Sequence, residues 1–247
     1  MKVIVHGARG RMGVNIIKAL KNFNQDTVIL PVDISYKTEK CDGAYADIFE
    51  ITEKADVIID FSHHSATKAL TDYAVKTSTP LVLCTTGQTQ DELDSIINAS
   101  KKVAVFYSGN MSIGVATLCK AVKLTVSAMP NAEIEIVEVH HDKKLDSPSG
   151  TALMLANAVK EVRPNMSILT GRNGYQPKNK DEIGISSVRY GNIVGIHEVI
   201  IATETETITL KHEAHTRAVF ADGAVEAGKY LVDKPAGLYD MKKLLMG

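Results

Sequence analysis

KVIVHGARGRMG, residues 2–13, runs from a β-branched apolar segment through a glycine turn into the amphipathic pattern RMGVNIIKALKNF that starts at Arg11. A strand handed through such a turn to a helix is how a dinucleotide-binding βαβ unit opens. Gly7, Gly10 and Gly13 let the turn close tightly, bring backbone amides up to a pyrophosphate and allow the helix to pack on the strand. The positive end of the helix then faces the phosphate charge. The spacing is GxxGxxG, with Ala8 where the commoner form has a glycine, so a tight turn without a ligand stays open as the alternative here.

Moving outward, the same rhythm recurs: TVILPVD, then ADVIIDFS with ATKALTDYAVK, then PLVLCTT with QDELDSIINASK, then VAVFYSG. Short apolar runs alternating with amphipathic segments predict a parallel, Rossmann-type sheet covered by helices on both faces. Asp33 ends the second strand, twenty residues after Gly13, where a carboxylate can accept from the adenosine ribose hydroxyls. Pro31, two residues earlier, is unusual for a central strand. Asp33 would repel a 2′-phosphate, which favours NADH, whereas Arg9, Arg11 and Lys37 could each offset that repulsion, so NADH and NADPH both stay open. Ligands of such sheets bind beyond the carboxyl ends of the strands, which adds Asp60-Phe61-Ser62, Thr85-Thr86-Gly87 and Ser108-Gly109-Asn110-Met111 as candidates. Each could equally be a simple turn or helix cap.

From about Ser112 the texture changes to a long helical segment (SIGVATLCKAVKLTVSAM), an alternating strand (AEIEIVEVH), a second helix (GTALMLANAVKEV) and three strand-like runs, ISSVRYG, IVGIHEVIIAT and ETITLKHEA. This predicts a smaller α+β domain on a mixed or antiparallel sheet. GRNGYQPKNKDEIG, residues 171–184, reads as a loop. After His215 a helical pattern, AVFADGAVEAGKYLVDK, ends at Lys234-Pro235 before a short tail, and either caps the second domain or returns to the first.

Composition narrows the function classes. A chain of 247 residues with 45% hydrophobic residues can bury a large core, and a net charge of -1 gives no electrostatic reason to expect nucleic acid or an anionic membrane as partner. Cys41, Cys84 and Cys119 form no CxxC pair and are odd in number, which suggests neither a disulfide framework nor a thiolate metal site and fits a reducing cytoplasm. The first residues do not resemble a signal peptide, and no run approaches the ~20 apolar residues of a membrane span. A small-molecule ligand is the expectation.

The chemistry concentrates in EVHHDKKLDSPSGT, residues 138–151, between a strand and a helix. Histidine, with a pKa of about 6.5, exchanges protons near neutrality, whereas a lysine at about 10.4 needs burial or a cationic neighbour before it donates readily. His140 and Lys144 lie four residues apart, and Ser149 is a natural N-cap that leaves the amides of Gly150 and Thr151 at a helix start suited to a carboxylate. A solvated polar loop, a metal site from His140, His141 and Asp142, and a phosphate loop compete with this reading. Lys143 and Lys144 argue against a metal cation among them.

The run E-V-H-H-D-K-K-L-D-S-P-S-G-T-A closely resembles the signature of the 4-hydroxy-tetrahydrodipicolinate reductase family, and the resemblance extends through GARGRMG, IDFS, TTG, the Asn110 region, VRYGNIVGIHEV and RAVFADGA. It implies a dinucleotide domain of residues 1–111 and 216–247, a substrate-binding and tetramerisation domain of residues 112–215, and a cytoplasmic homotetramer. By it, His140 is the acid/base residue, Lys144 the proton donor, His141 a substrate contact, and Gly150 and Thr151 the holders of a dicarboxylate substrate's carboxylate. Gly7, Ala8, Arg9, Gly10, Arg11, Met12, Asp33, Cys84, Thr85, Thr86, Ser108, Gly109, Asn110 and Met111 line the NADH or NADPH site, with no metal. Cys84 stands where many members carry glycine, and no arginine follows Asp33. A reductase for another imine or amino acid, or a non-catalytic dinucleotide sensor, are the rival expectations.

Overall fold

The computed structural model describes residues 1–246. In chain order the elements are β1 (Lys2–His6), α1 (Arg11–Phe23), β2 (Val28–Val32), β3 (Val57–Asp60), α2 (Thr67–Thr77), β4 (Leu81–Leu83), α3 (Gln90–Ser100), β5 (Ala104–Tyr107), α4 (Ile113–Ala128), β6 (Glu133–His140), α5 (Gly150–Val162), β7 (Ser167–Thr170), β8 (Glu182–Arg189), β9 (Gly195–Ala202), β10 (Thr207–Ala214), α6 (Ala218–Leu231), β11 (Gly237–Tyr239) and α7 (Met241–Leu244). They fall into two compact units, one of Met1–Ile113 together with the chain from Arg217 onward, the other of Gly114–Thr216.

The first unit is a parallel six-stranded sheet in the order β11-β5-β4-β3-β1-β2. Ile4, Ile58, Leu81, Leu83 and Val105 face Leu70 and Tyr73 of α2 and Ile96 of α3, all buried. α1 and α6 pack on each other, and α6 lies close to β3, where a Cβ at Gly228 would come within 3.2 Å of Ile59. Helices on both faces explain why these strands read as unbroken apolar runs. The strand order reverses at β1, which places the glycine turn at the topological switch point. Pro31 sits in β2, the edge strand, where its missing donor costs no interior ladder bond. The chain after Arg217 belongs to this unit, and it adds β11 beside β5, a three-residue strand that sequence patterning does not show.

The second unit is a mixed sheet in the order β10-β9-β6-β8-β7. β6 pairs parallel with β8 and antiparallel with β9, so the strand that carries the signature is central. One face packs Ile134, Ile136, Val199 and Ile201 against Leu118 and Val122 of α4 and Leu155 and Val159 of α5. Two departures from sequence expectation occur here. Ser167–Thr170 forms the edge strand β7, and Glu182–Gly184, expected in the loop, begin β8, which starts three residues before the apolar ISSV pattern.

The turn after β1 is built on glycine. Gly7 has φ +78°, and Gly13 lies so close to the turn that a Cβ there would meet the Gly7 carbonyl oxygen and sit 2.7 Å from Ala8 Cα. Backbone cannot yield as a side-chain tip can. Gly13→Ala is therefore expected to destabilise the protein by about 1–3 kcal/mol and to weaken dinucleotide binding, measured by urea unfolding and NADH fluorescence titration. Gly150→Ala, with open space at its Cβ, serves as the unaffected control for stability.

Candidate active site

In the first unit every sequence-predicted cofactor residue lies at the carboxyl edge of the sheet. Gly7 and Ala8 follow β1, and their amides donate to the Val32 carbonyl at 2.9 and 3.0 Å, which ties the turn to β2. Asp33 follows β2 and accepts from the Arg9 amide at 2.9 Å and from the Ser35 amide and hydroxyl at 3.0 and 2.7 Å. These bonds outweigh partial burial and hold its carboxyl below the usual range. The Arg9 guanidinium pairs with Glu39 and lies 5.7 Å from the centroid of the Tyr36 ring.

Asp60, fully buried at the end of β3, accepts from His6 Nδ1 at 2.8 Å and from the Ser62 amide and hydroxyl at 3.1 and 2.6 Å. Cys84 is buried behind it, and burial raises its thiol well above the usual value. Gln88 donates to the Thr85 hydroxyl at 2.9 Å and accepts from Tyr107 at 2.9 Å. Ser108 and Asn110 close the turn after β5, the Ser108 hydroxyl donating to the Asn110 carbonyl at 2.7 Å. Met111 is buried, so its side chain belongs to the core. Helix α1 has Gly10 as N-cap with no side chain capping it, which leaves its first amides to a ligand. An uncapped helix start, on a turn that Gly7 and Gly13 allow to pack tightly against Ser62 and Ala8 backbone, fits a pyrophosphate.

In the second unit β6 alternates, so Ile134, Ile136, Glu138 and His140 point to the packed face and the last two inward positions are ionisable. His140 Nδ1 bonds Glu138 Oε2. Arg189 grips the same carboxylate with two nitrogens, at 2.9 Å to Oε2 and 2.7 Å to Oε1, and the Ser149 amide donates to Oε1 at 3.2 Å. Burial alone would raise the Glu138 carboxyl, but Arg189, Ser187 and His140 overcome it and hold it at about 2. Burial holds His140 below the usual histidine range, with the Glu138 carboxylate pulling the other way. The ring of His197 stands edge-on to His140 with centroids 5.1 Å apart, and its Nε2 lies 3.0 Å from the Ser149 hydroxyl. Burial, then the proximity of His140, lowers His197 to about 3, so it is neutral at neutral pH.

Ser149 caps α5 through a bond from the Ala152 amide, and the helix starts at Gly150 as the sequence suggests. Lys144 Nζ donates to Asp146 Oδ1 at 2.7 Å, and Arg189 also binds the Asp146 carbonyl at 2.8 Å. His141 is held by its amide on the Ile193 carbonyl at 2.8 Å. The fold thus brings His140, Lys144 and the Gly150–Thr151 helix start around one strand-to-helix turn. Sequence reasoning missed Glu138, Arg189 and His197 as site residues. The two-residue spacing of Glu138 and His140 on an alternating strand signals a shared face, whereas Arg189 and His197 come from separate strands.

Glu138, His140 and His197 could offer three ligand atoms to a metal. The Arg189 fork and His140 already occupy both carboxylate oxygens, and a guanidinium beside the site opposes a cation.

Residues 1–111 match the family model "Dihydrodipicolinate reductase, N-terminus" and residues 114–245 match "Dihydrodipicolinate reductase, C-terminus". The chain is 42% identical over 248 residues to a 4-hydroxy-tetrahydrodipicolinate reductase of Caldanaerobacter subterraneus subsp. tengcongensis, covering 99% of this chain and 98% of the relative. It is 41% identical over 246 residues to the enzyme of the same name from Brachyspira hyodysenteriae, covering 99% and 100%. Among solved structures it is similar to a dipicolinate-bound dihydrodipicolinate reductase from Paenisporosarcina sp. TG-14, with TM-score 0.79, 24% identity and 97% of each chain covered. With both halves of the family model matched in order and relatives above 40% identity end to end, the chain belongs to the dihydrodipicolinate reductase family of NAD(P)H-dependent oxidoreductases.

Proposed function

We propose that the protein reduces 4-hydroxy-tetrahydrodipicolinate to tetrahydrodipicolinate, with loss of water and oxidation of NAD(P)H, in lysine and diaminopimelate biosynthesis. The observation that carries the reading is the single turn where an acid/base histidine, a lysine ammonium and an open helix start converge in a chain of this family. Reduced nicotinamide, when bound, supplies the hydride to C4 of the ring. One substrate carboxylate rests on the Gly150 and Thr151 amides, and His141 contacts it. Lys144 delivers the proton that balances the hydride. His140, kept below the usual range by burial, serves as the proton-exchanging partner.

Both dinucleotides are used. The Arg9–Glu39 pair is exposed and screened by solvent, so Arg9 can turn from Glu39 to a 2′-phosphate at little cost. A cytoplasmic location is supported by Cys41, Cys84 and Cys119 forming no disulfide and by the biosynthetic family; no described helix is long and apolar enough to cross a membrane. The uncovered face of the second sheet carries Val137 and Val139 on β6, Val188 on β8 and Ile196 and Ile200 on β9, an apolar surface that supports a homotetramer of this unit.

The decisive assay follows absorbance at 340 nm with pyruvate, aspartate semialdehyde and the upstream synthase. Oxidation of NADH and NADPH that requires both precursors is expected, and dinucleotide binding without oxidation would move the protein to the sensor reading. Lys144→Ala is expected to lower kcat about 10²- to 10⁴-fold while leaving the NADH dissociation constant unchanged. Light scattering should give four times the 26.8 kDa chain mass. Ile200→Lys should give a smaller species; a monomeric parent would sink the tetramer.

A further inference from the structure

We propose that Glu138 and Arg189 act as one positioning pair for the whole site, fixing His140, the Lys144 turn and the carboxylate-binding start of α5 through a single buried ion pair. The proposal rests on the functional reading above and deepens it.

The geometry supplies three connections. Glu138 Oε2 takes His140 Nδ1, which commits that nitrogen to carrying the proton and leaves Nε2 for chemistry. Gly195 keeps that second nitrogen clear, since a Cβ there would sit 3.0 Å from His140 Nε2. Glu138 Oε1 takes the Ser149 amide, while the Ser149 hydroxyl meets His197 Nε2 at 3.0 Å and accepts from Ala152. The residue that begins α5 is therefore held at both its amide and its hydroxyl, immediately before Gly150. Arg189 completes the set, its Nη2 reaching both Glu138 Oε1 and the backbone carbonyl of Asp146, the residue whose carboxylate holds Lys144.

A bland structural role accounts poorly for this arrangement. The packed face of β6 is filled by isoleucine until Glu138, and an apolar residue there would avoid the cost of burying a charge. Apart from the Ser187 side chain, the contacts to the carboxylate instead lead to residues that touch substrate, that precede such residues, or that neutralise the charge. The orienting carboxylate behind a catalytic histidine acts by fixing tautomer and ring direction.

The test uses the full-length protein labelled with ¹⁵N-histidine and the variants Glu138→Gln and Arg189→Lys. In the parent at neutral pH, the His140 ring is expected as the Nδ1–H tautomer, assigned by loss of its signals in His140→Asn. Glu138→Gln is expected to lose that single tautomer, to lower kcat about 10- to 100-fold, the scale seen when the hydrogen-bond partner of a functional histidine is removed, and to weaken binding of pyridine-2,6-dicarboxylate measured by calorimetry. Arg189→Lys cannot reach both Glu138 oxygens and the Asp146 carbonyl, and is expected to lower kcat about tenfold with the tautomer kept. Variants that fold with an unchanged tautomer, dicarboxylate affinity and kcat would overturn the proposal. If Glu138→Gln fails to fold, a kcat for Arg189→Lys within twofold of the parent overturns it alone. Tautomer and dicarboxylate binding need no turnover, so an inactive parent would count against the functional reading and leave the positioning claim separately decided.

Discussion

A carboxylate with no exposed surface, Glu138, organises the second unit. Taking such a charge out of water costs several kcal/mol unless its lone pairs are filled, and here they are filled by a two-nitrogen arginine grip, a histidine and a backbone amide. That requirement dictates local topology. Arg189 must come from the parallel neighbour β8, and Ser149 from the turn that leads into α5, so strand pairing and helix start are both committed before any substrate is considered. Removing one partner would strand a buried charge, which makes the cluster rigid as a unit.

The first unit solves a similar problem with smaller carboxylates. Asp33 and Asp60 each end a strand and each accept from the amide and hydroxyl of a serine two residues on. Asp33 also takes the Arg9 amide, which welds the glycine turn to β2, and Asp60 takes His6 from the end of β1. Loops at the carboxyl edge are thereby fixed by side-chain to backbone bonds, while the start of α1 is left uncapped. A ligand that brings negative charge finishes what the protein leaves unsatisfied.

How far the sequence discloses this depends on the range of the interaction. Strands β1, β3, β4 and β5 are legible because burial on both faces writes them as continuous apolar runs, and α5 is legible to the residue because Ser149 and Gly150 are a local capping signal. Strands β7 and β11 are illegible because three or four residues carry no periodicity, and their pairing partners are distant. His140, Lys144 and the helix start lie within a dozen residues and can be read together. Arg189 lies 51 residues from Glu138, and His197 lies 48 from Ser149, so no local pattern links them. Only the pairing of β6 with β8 and β9 brings them in.

The two proton-bearing groups of the site are held in opposite ways. His140 is buried, and its ring is fixed on both sides by Glu138 and His197, so its proton inventory is set by burial against one carboxylate. Lys144 is partly exposed and paired to Asp146, itself more than half exposed, across a bond that solvent and salt screen. Such a pair costs little to open. In the proposed reaction a dianionic substrate would compete with Asp146 for the ammonium, and a flexible lysine stem can follow a carboxylate or a ring carbon without moving backbone. On the function proposed above, the fixed histidine would define where the substrate lies, and the partly exposed lysine would complete the reaction at the atom that receives the proton.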